Sequence, residues 1–174
     1  ILLFLGAFIF VAKANSQLVI NEYSCANASI NDNFGDTPDW IEIYNNGATP
    51  VNLSGFYLSD RLTNPLKWQM PNVNLNADQR ILIYASNRNI ITGPYHSNFK
   101  LTQSQGNDQI LISDASANIL DLVNIEPAQL NHSRGRLTDG AATWGLFTTP
   151  TPNTANVGGL TGYATTPLMS LSPG

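Results

Sequence analysis

Three aspartates within eight residues make the segment from Asn31 to Asp39 the part of the sequence best suited to bind a metal ion. Asp32, Asp36 and Asp39, with carbonyls of the turn at Gly35, could supply the roughly six to eight oxygens that calcium prefers. The segment lacks the terminal glutamate of an EF-hand loop. We therefore predict a weak calcium site at these aspartates. The alternative is a hydrogen-bonded Asx turn without a metal ion, which is the commoner structure for such a segment.

The residues that could build a catalytic centre are few. Cys25 is the only cysteine, His96 and His132 are the only histidines, and none stands in a local nucleophile motif. A buried thiol and two surface imidazoles are favoured over a thiol-protease-like trio. Glu22 and Glu42 could pair on neighbouring strands, but we expect them on a solvated sheet face, as is usual for carboxylates. The sequence thus predicts no catalytic residues, no enzyme, and no cofactor other than calcium.

Aromatic and basic residues suggest ligand contacts of another kind. Trp40, Trp68 and Trp144 could form a platform for sugar rings, but each lies beside apolar residues in a strand pattern, which favours core packing. Residues 131–136 carry two arginines and a histidine that could hold a phosphate or a glycan carboxylate. An internal ion pair for Arg136 is favoured instead, because the surrounding charge is negative.

Short β-strand patterns must position all of these side chains. Runs of β-forming residues closed by Asn, Gly, Pro or Asp repeat along the chain, and no amphipathic helix pattern interrupts them. Strands without helices must cover one another, so we predict an all-β, two-sheet β-sandwich, with a closed barrel as the alternative. The nearly continuous apolar run at 80–86 predicts a central strand. The runs are Leu18–Tyr23, Asp39–Asn45, Val51–Asp60, Lys67–Met70, Arg80–Ser86, Gln109–Asp114, Asn118–Ile125, Ser133–Leu137 and Thr143–Phe147.

Apolar members of these runs must face the opposing sheet and form the core. A chain of 174 residues that is 43% hydrophobic and only 11% charged has enough apolar material for one such core. The predicted core residues are Ile20, Trp40 or Ile41, Ile43, Leu53, Phe56, Leu58, Ile81, Ile83, Leu111, Leu120 and Val123.

Both ends of the sequence differ from this strand region. Ile1–Val11 is an apolar run too short to cross a bilayer, and Ala12-Lys13-Ala14 has the small-x-small pattern of a signal-peptidase site. Residues 1–14 are therefore predicted to be a signal peptide, incomplete at its N-terminus, whose cleavage leaves no membrane span. Residues 157–174 are rich in Gly, Thr, Pro and Ser, which predicts a flexible linker or the start of a further module.

Motifs in both halves of the chain resemble bacterial lamin-tail domains. The first half carries Val19–Glu22, Asp39–Asn45 and Val51–Asp60 in order, and the resemblance covers residues 18–156. It implies an immunoglobulin-like β-sandwich. Bacterial members are similar in being secreted or surface modules, often joined to hydrolases, nucleases or kinase-like domains, with no recognised catalytic centre of their own. Second-half segments that agree are Lys67–Pro71, Arg80–Ser86, His96–Leu101 and Gly135–Trp144.

These observations predict a secreted or cell-surface protein that serves as a non-catalytic adhesion, scaffolding or protein-interaction module of a larger surface protein. We expect its partner to be a protein or a glycan at the cell surface. The formal net charge of -4 argues against nucleic acid as a ligand. The alternative is a carbohydrate-binding accessory module attached to a hydrolase, which would need at least two aromatic rings exposed on one face.

Overall fold

Each strand run predicted from the sequence contains at least one β-strand. The computed structural model describes residues 17–103 and 108–164. Across those two ranges, no helix is long and apolar enough to cross a membrane. The elements are β1 Leu18–Ser24, β2 Trp40–Asn45, β3 Val51–Asn52, a 3-10 turn Leu53–Gly55, β4 Phe56–Ser59, β5 Trp68–Gln69, β6 Asn74–Leu75, β7 Arg80–Tyr84, β8 Tyr95–His96, β9 Gln109–Asp114, β10 Ile119–Asn124, β11 Ser133–Arg136 and β12 Trp144–Phe147.

Two sheets pack face to face, which confirms the immunoglobulin-like β-sandwich. The larger sheet has the order β12-β11-β1-β2-β7-β8, and the smaller has the order β10-β9-β4-β5, with β3 and β6 forming a separate pair. All pairings are antiparallel except that of β7 with β8. Because both sheets are open, the closed-barrel alternative is wrong.

The predicted core is largely confirmed. Trp40 and Ile41 are both buried, but only Ile41 belongs to the cluster between the sheets, because successive side chains of a strand point to opposite faces. Phe56 and Leu120 are partly buried against that cluster, and Leu111 is buried outside it. The other predicted residues lie in the cluster: Ile20, Ile43, Leu53, Leu58, Ile81, Ile83 and Val123.

Strands β1 and β2 lie in the middle of the larger sheet, and the strand predicted at 80–86, β7, lies beside β2 as an interior strand. Every residue of β1 and β2 is buried, whereas β7 alternates between buried and partly exposed residues and has only the two-residue β8 beyond it. Both faces of β1 and β2 are buried because residues 151–156 cover the outer face of these strands. The sequence pattern could not reveal this cover. We call residues 151–156 the covering segment.

The covering segment buries two carboxylates that we expected on a solvated face. Glu22 and Glu42 have no exposed surface, so that expectation is wrong. Glu22 accepts hydrogen bonds from the backbone and the hydroxyl of Thr151, and Glu42 accepts one at 2.6 Å from the backbone N–H of Asn153. Asn21 Nδ2 donates to Glu42 at 2.9 Å. These hydrogen bonds attach the covering segment to the larger sheet and satisfy the carboxylates.

Candidate functional site

Arg88 contacts two of the three aspartates in the predicted calcium loop. Its Nη1 donates to Asp32 Oδ2 at 2.8 Å, and its Nη2 donates to Asp36 Oδ2. Asp32 Oδ1 also accepts from the backbone N–H groups of Phe34 at 2.8 Å and Asp36 at 3.0 Å. The loop therefore contains the predicted Asx turn, and a guanidinium balances two of its charges.

Asp39 is not part of this ion-pair cluster. Its Oδ1 accepts from the backbone N–H of Asn27 at 3.3 Å. Burial raises the pKa of Asp39 to about 6, while that N–H and the charge of Lys100 act in the opposite direction. Within residues 17–103 and 108–164, no three His, Cys, Asp or Glu side chains are placed to share a metal ion. Calcium at Asp32, Asp36 and Asp39 stays a prediction, and it would have to compete with Arg88.

His96 connects the segment 31–39, which we call the acidic loop, to the end of β7 by hydrogen bonds. It is fully buried, so the expected surface imidazole at this position is wrong. Its Nδ1 lies 2.9 Å from Ser86 Oγ and its Nε2 lies 2.8 Å from Asn33 Oδ1. Burial lowers the pKa of His96. The neutral ring therefore accepts from the Ser86 hydroxyl and donates to the Asn33 amide oxygen.

Two adjoining clefts at this end of the sandwich share Lys100 and Leu101, and we call them the Lys100 groove. Their volumes are about 490 and 430 Å³. Ser86 pairs with Lys100 in an isolated antiparallel bridge, and the backbone N–H of Asn87 donates to the carbonyl of Phe99 at 3.1 Å. Asn87 has φ 64°, a left-handed conformation that asparagine tolerates better than most residues. This reversal of the chain places Lys100 beside the end of β7.

Among the described cations that line the groove, only Lys100 forms no ion pair, and Asp39 and Asp108 line the groove without one as well. Arg61 and Lys67 both pair with Asp60, at 3.1 and 2.6 Å, and Arg88 pairs with the acidic loop. Burial alone would raise the pKa of Asp60, but the two cations hold it below its ordinary value. Lys100 is exposed and makes no ion pair within 4 Å to a described residue. The groove can therefore offer an ammonium group to an anionic ligand.

Most of the other residues singled out in the sequence are buried or take part in internal contacts. Trp40 and Trp68 are 0% and 2% exposed, which confirms core packing, whereas Trp144 is half-buried. Arg136 makes the predicted internal ion pair, 2.9 Å from Asp121. Cys25 is a buried free thiol, as predicted, and burial raises its pKa well above the ordinary value. A sugar platform built from all three tryptophans is therefore wrong.

The reasoning from sequence missed Arg88 and Lys100. Arg88 stands between two asparagines and Lys100 between Phe99 and Leu101, and nothing in the immediate sequence of either shows which side chains face it. The asparagines at 87 and 89 and the dipeptide Gly93-Pro94 could have indicated a chain reversal between β7 and β8. That signal would have placed residues 97–100 near Ser86, but it would not have identified the acidic loop as the partner of Arg88.

The Lamin Tail Domain family model matches residues 11–126, which is more than half of the chain. No curated protein matches. A solved structure of a DUF4876 family protein from Bacteroides thetaiotaomicron is similar, with 11% identity, a TM-score of 0.42, and coverage of 84% of this chain and 69% of that one. A likeness this distant carries no information about function. On the family match, the chain belongs to the lamin tail domain family.

Proposed function

We propose that this protein is a secreted or surface-held, non-catalytic interaction module of a larger surface protein, serving in adhesion or scaffolding. The observation that carries the proposal is the exposed Lys100, which has no ion pair within 4 Å to a described residue, at the junction of two adjoining clefts. Such a groove suits an acidic segment of a protein partner, because an exposed ammonium that forms no ion pair attracts carboxylates. Membership of a family of immunoglobulin-like modules supports the non-catalytic role.

The proposal is tested by NMR titration of the protein with an oligoglutamate peptide and with a matched oligoglutamine peptide. We expect shifts around Lys100 with the acidic peptide only, weakened by salt because the contact is exposed. Lys100→Gln should abolish them. Ala115→Glu changes the net charge by the same amount at the far end of β9 and should leave them intact. Equal shifts with both peptides, or none in the groove, would contradict the proposal.

A second candidate function is a carbohydrate-binding accessory module attached to a hydrolase. One observation favours it: half-buried Trp144 lines a cleft of about 380 Å³ together with Arg134. The cleft offers one partly exposed aromatic ring, not the two exposed rings of the platform considered from the sequence, so recognition of a sugar there depends also on the polar groups beside Trp144. A glycan array distinguishes this candidate from the first. Failure of every glycan to retain the protein at high ligand density would remove the carbohydrate function and leave the peptide-binding proposal standing.

A further inference from the structure

A cleft lies where an edge of the smaller sheet meets an edge of the larger one. Strand β10 supplies Leu122 and Asn124, while β11 and β12 supply Arg134 and Trp144. Thr161, after the covering segment, completes one wall. We call this the Trp144 cleft. It is separate from the Lys100 groove, since the two share no lining residue.

Arg134 brings hydrogen-bond donors that are only partly used. Its side chain is 16% exposed, and its Nη2 donates to the carbonyl of Pro127 at a long 3.3 Å. Its Nε is buried and finds no hydrogen-bond partner. The ring of Tyr163 lies 5.9 Å from the guanidinium carbon, which helps to hold it in place. A planar guanidinium with spare donors is the group best suited to bind a carboxylate.

A carboxylate of the protein already stands beside this arginine. Glu126 Oε2 lies 3.3 Å from Arg134 Nη2, and the Glu126 side chain is 67% exposed. An ion pair this long and this exposed is weak. The Glu126 side chain can therefore rotate into solvent, and the carboxylate of a ligand can then bind Arg134 in place of Glu126.

Trp144 supplies an apolar part of the lining of this cleft. Its ring is held by Tyr23, at 5.8 Å between centroids, and by the guanidinium of Arg136, 5.3 Å from the ring centroid. Exposed Leu122 also lines the cleft. The cleft is at the small end of ligand-sized cavities. Its size suits a rigid ring that has an apolar face and a carboxylate better than it suits a folded protein surface.

We propose that the Trp144 cleft binds a uronic acid unit of an acidic glycan. The ring of the sugar packs on Trp144, its carboxylate replaces Glu126 on Arg134, and Asn124 and Thr161 bind hydroxyl groups. This inference rests on the second candidate function and specifies its ligand class. Because the carboxylate of Glu126 competes for the same guanidinium, the affinity of the free protein for such a sugar is held down.

The test uses digalacturonate and its methyl ester, which has the same rings without the charge, titrated into the protein and followed by calorimetry and NMR. We expect digalacturonate to bind, to shift the indole N–H signal of Trp144, and to bind more tightly than the ester. Arg134→Gln should weaken binding about tenfold, as expected when a charge-assisted hydrogen bond is lost. Ala115→Glu, an equal charge change in the loop after β9, should not.

Glu126→Gln is the decisive variant, because its exposed side chain can change without loss of folding and should tighten binding severalfold. Weaker or unchanged binding in this variant would overturn the displacement of Glu126. Equal binding of digalacturonate and its ester would overturn the acidic-sugar inference while the carbohydrate function stands. The acidic-sugar inference would also be overturned if the protein bound neither probe but was retained by a neutral glycan. No retention by any glycan would overturn the carbohydrate function itself.

Discussion

Single buried carboxyl groups make the stability of this protein depend on pH. Burial raises the pKa of Glu42 from an ordinary 4.5 to about 7, against hydrogen bonds from Asn21 and Asn153, and burial also raises the pKa of Glu22. The folded state therefore holds these protons more tightly than the unfolded chain does. The contribution of Glu42 to stability is fully present below about pH 4.5 and is lost as the pH rises through about 7, and Glu22 acts in the same direction.

Glu42→Gln should remove most of this dependence. We expect the variant to be less stable than the wild type near pH 4.5, where the neutral carboxyl is well accommodated, and the difference to shrink by on the order of 2–3 kcal/mol up to pH 8. Urea unfolding across this range measures it. Glu126→Gln, at an exposed carboxylate, should run parallel to the wild type; a constant gap between Glu42→Gln and the wild type would contradict the prediction.

A second prediction for a single residue concerns the core, at Ile83. Its side chain has no exposed surface and lies between the two sheets. Truncation to alanine leaves a cavity, so Ile83→Ala should lower the free energy of unfolding by about 2–5 kcal/mol. Ile91→Ala is the matched control, because Ile91 is 53% exposed and its loss should cost less than about 0.5 kcal/mol. Similar losses for both variants would show that burial does not decide the effect.

At the scale of elements, the end of the chain that the structure describes is tightly packed on β12. Leu146 and Leu160 exchange two backbone hydrogen bonds of 2.8 Å. A Cβ added to Gly145 would stand 2.7 Å from the carbonyl oxygen of Leu160 and 2.3 Å from Leu137. The backbone can approach this closely only because residue 145 has no side chain.

Gly145→Ala should therefore displace the segment at Leu160 and destabilise the protein by about 1–3 kcal/mol, the usual effect of overpacking. Hydrogen exchange should show the amide of Leu160 losing protection. Gly55→Ala is the control, since nothing lies within 4 Å of a Cβ there. An unchanged melting temperature for Gly145→Ala would show that the contact is loose.

The acidic loop is the other element whose behaviour can be tested. Arg88→Gln leaves Asp32 and Asp36 without their countercharge and should lower the melting temperature. We expect millimolar CaCl₂ to restore part of the loss, by about 1.4 kcal/mol at ten times Kd, which is a few degrees for a domain of this size. Asp36→Asn in the same background should abolish the recovery. Identical melts in EDTA and CaCl₂, for both the wild type and Arg88→Gln, would end the calcium hypothesis.

At the scale of the whole molecule, the described part of the chain forms one sandwich with two separate concave surfaces. The family match ends at residue 126, yet β11 lies beside β1 in the larger sheet, so residues beyond the match belong to the same fold. The predicted signal peptide, residues 1–14, and most of the predicted linker at 157–174 lie outside the described residues. These boundaries stay predictions.

Cleavage after Ala14 is the prediction that tests the export of the protein. Expression of the full-length gene in a secreting host should release a protein whose first residue is Asn15, because small residues at the sites before the cut are what signal peptidase recognises. N-terminal sequencing of the medium checks it. Replacing Ala12 and Ala14 by bulky residues should prevent the cut, and an intact N-terminus in the released wild type would contradict the prediction.

Local patterns in the sequence determined the fold class, the positions of the strands and most of the core. Alternation and β-forming residues act over a few neighbours, so the sequence alone suffices to assign Ile20, Ile43 and Ile83 to the core. The Asx turn at Asp32 and the family resemblance follow from short stretches in the same way.

Only the tertiary structure decided which polar groups meet. Glu22 and Glu42 looked like solvent-facing residues, because the segment that covers them is more than a hundred positions away in sequence. Arg88 reaches Asp32 across 56 positions, and Trp144 joins Arg134 and Leu122 only where two sheet edges converge. Burial and charge pairing are properties of what the chain brings together, and no local pattern specifies contacts of such long range.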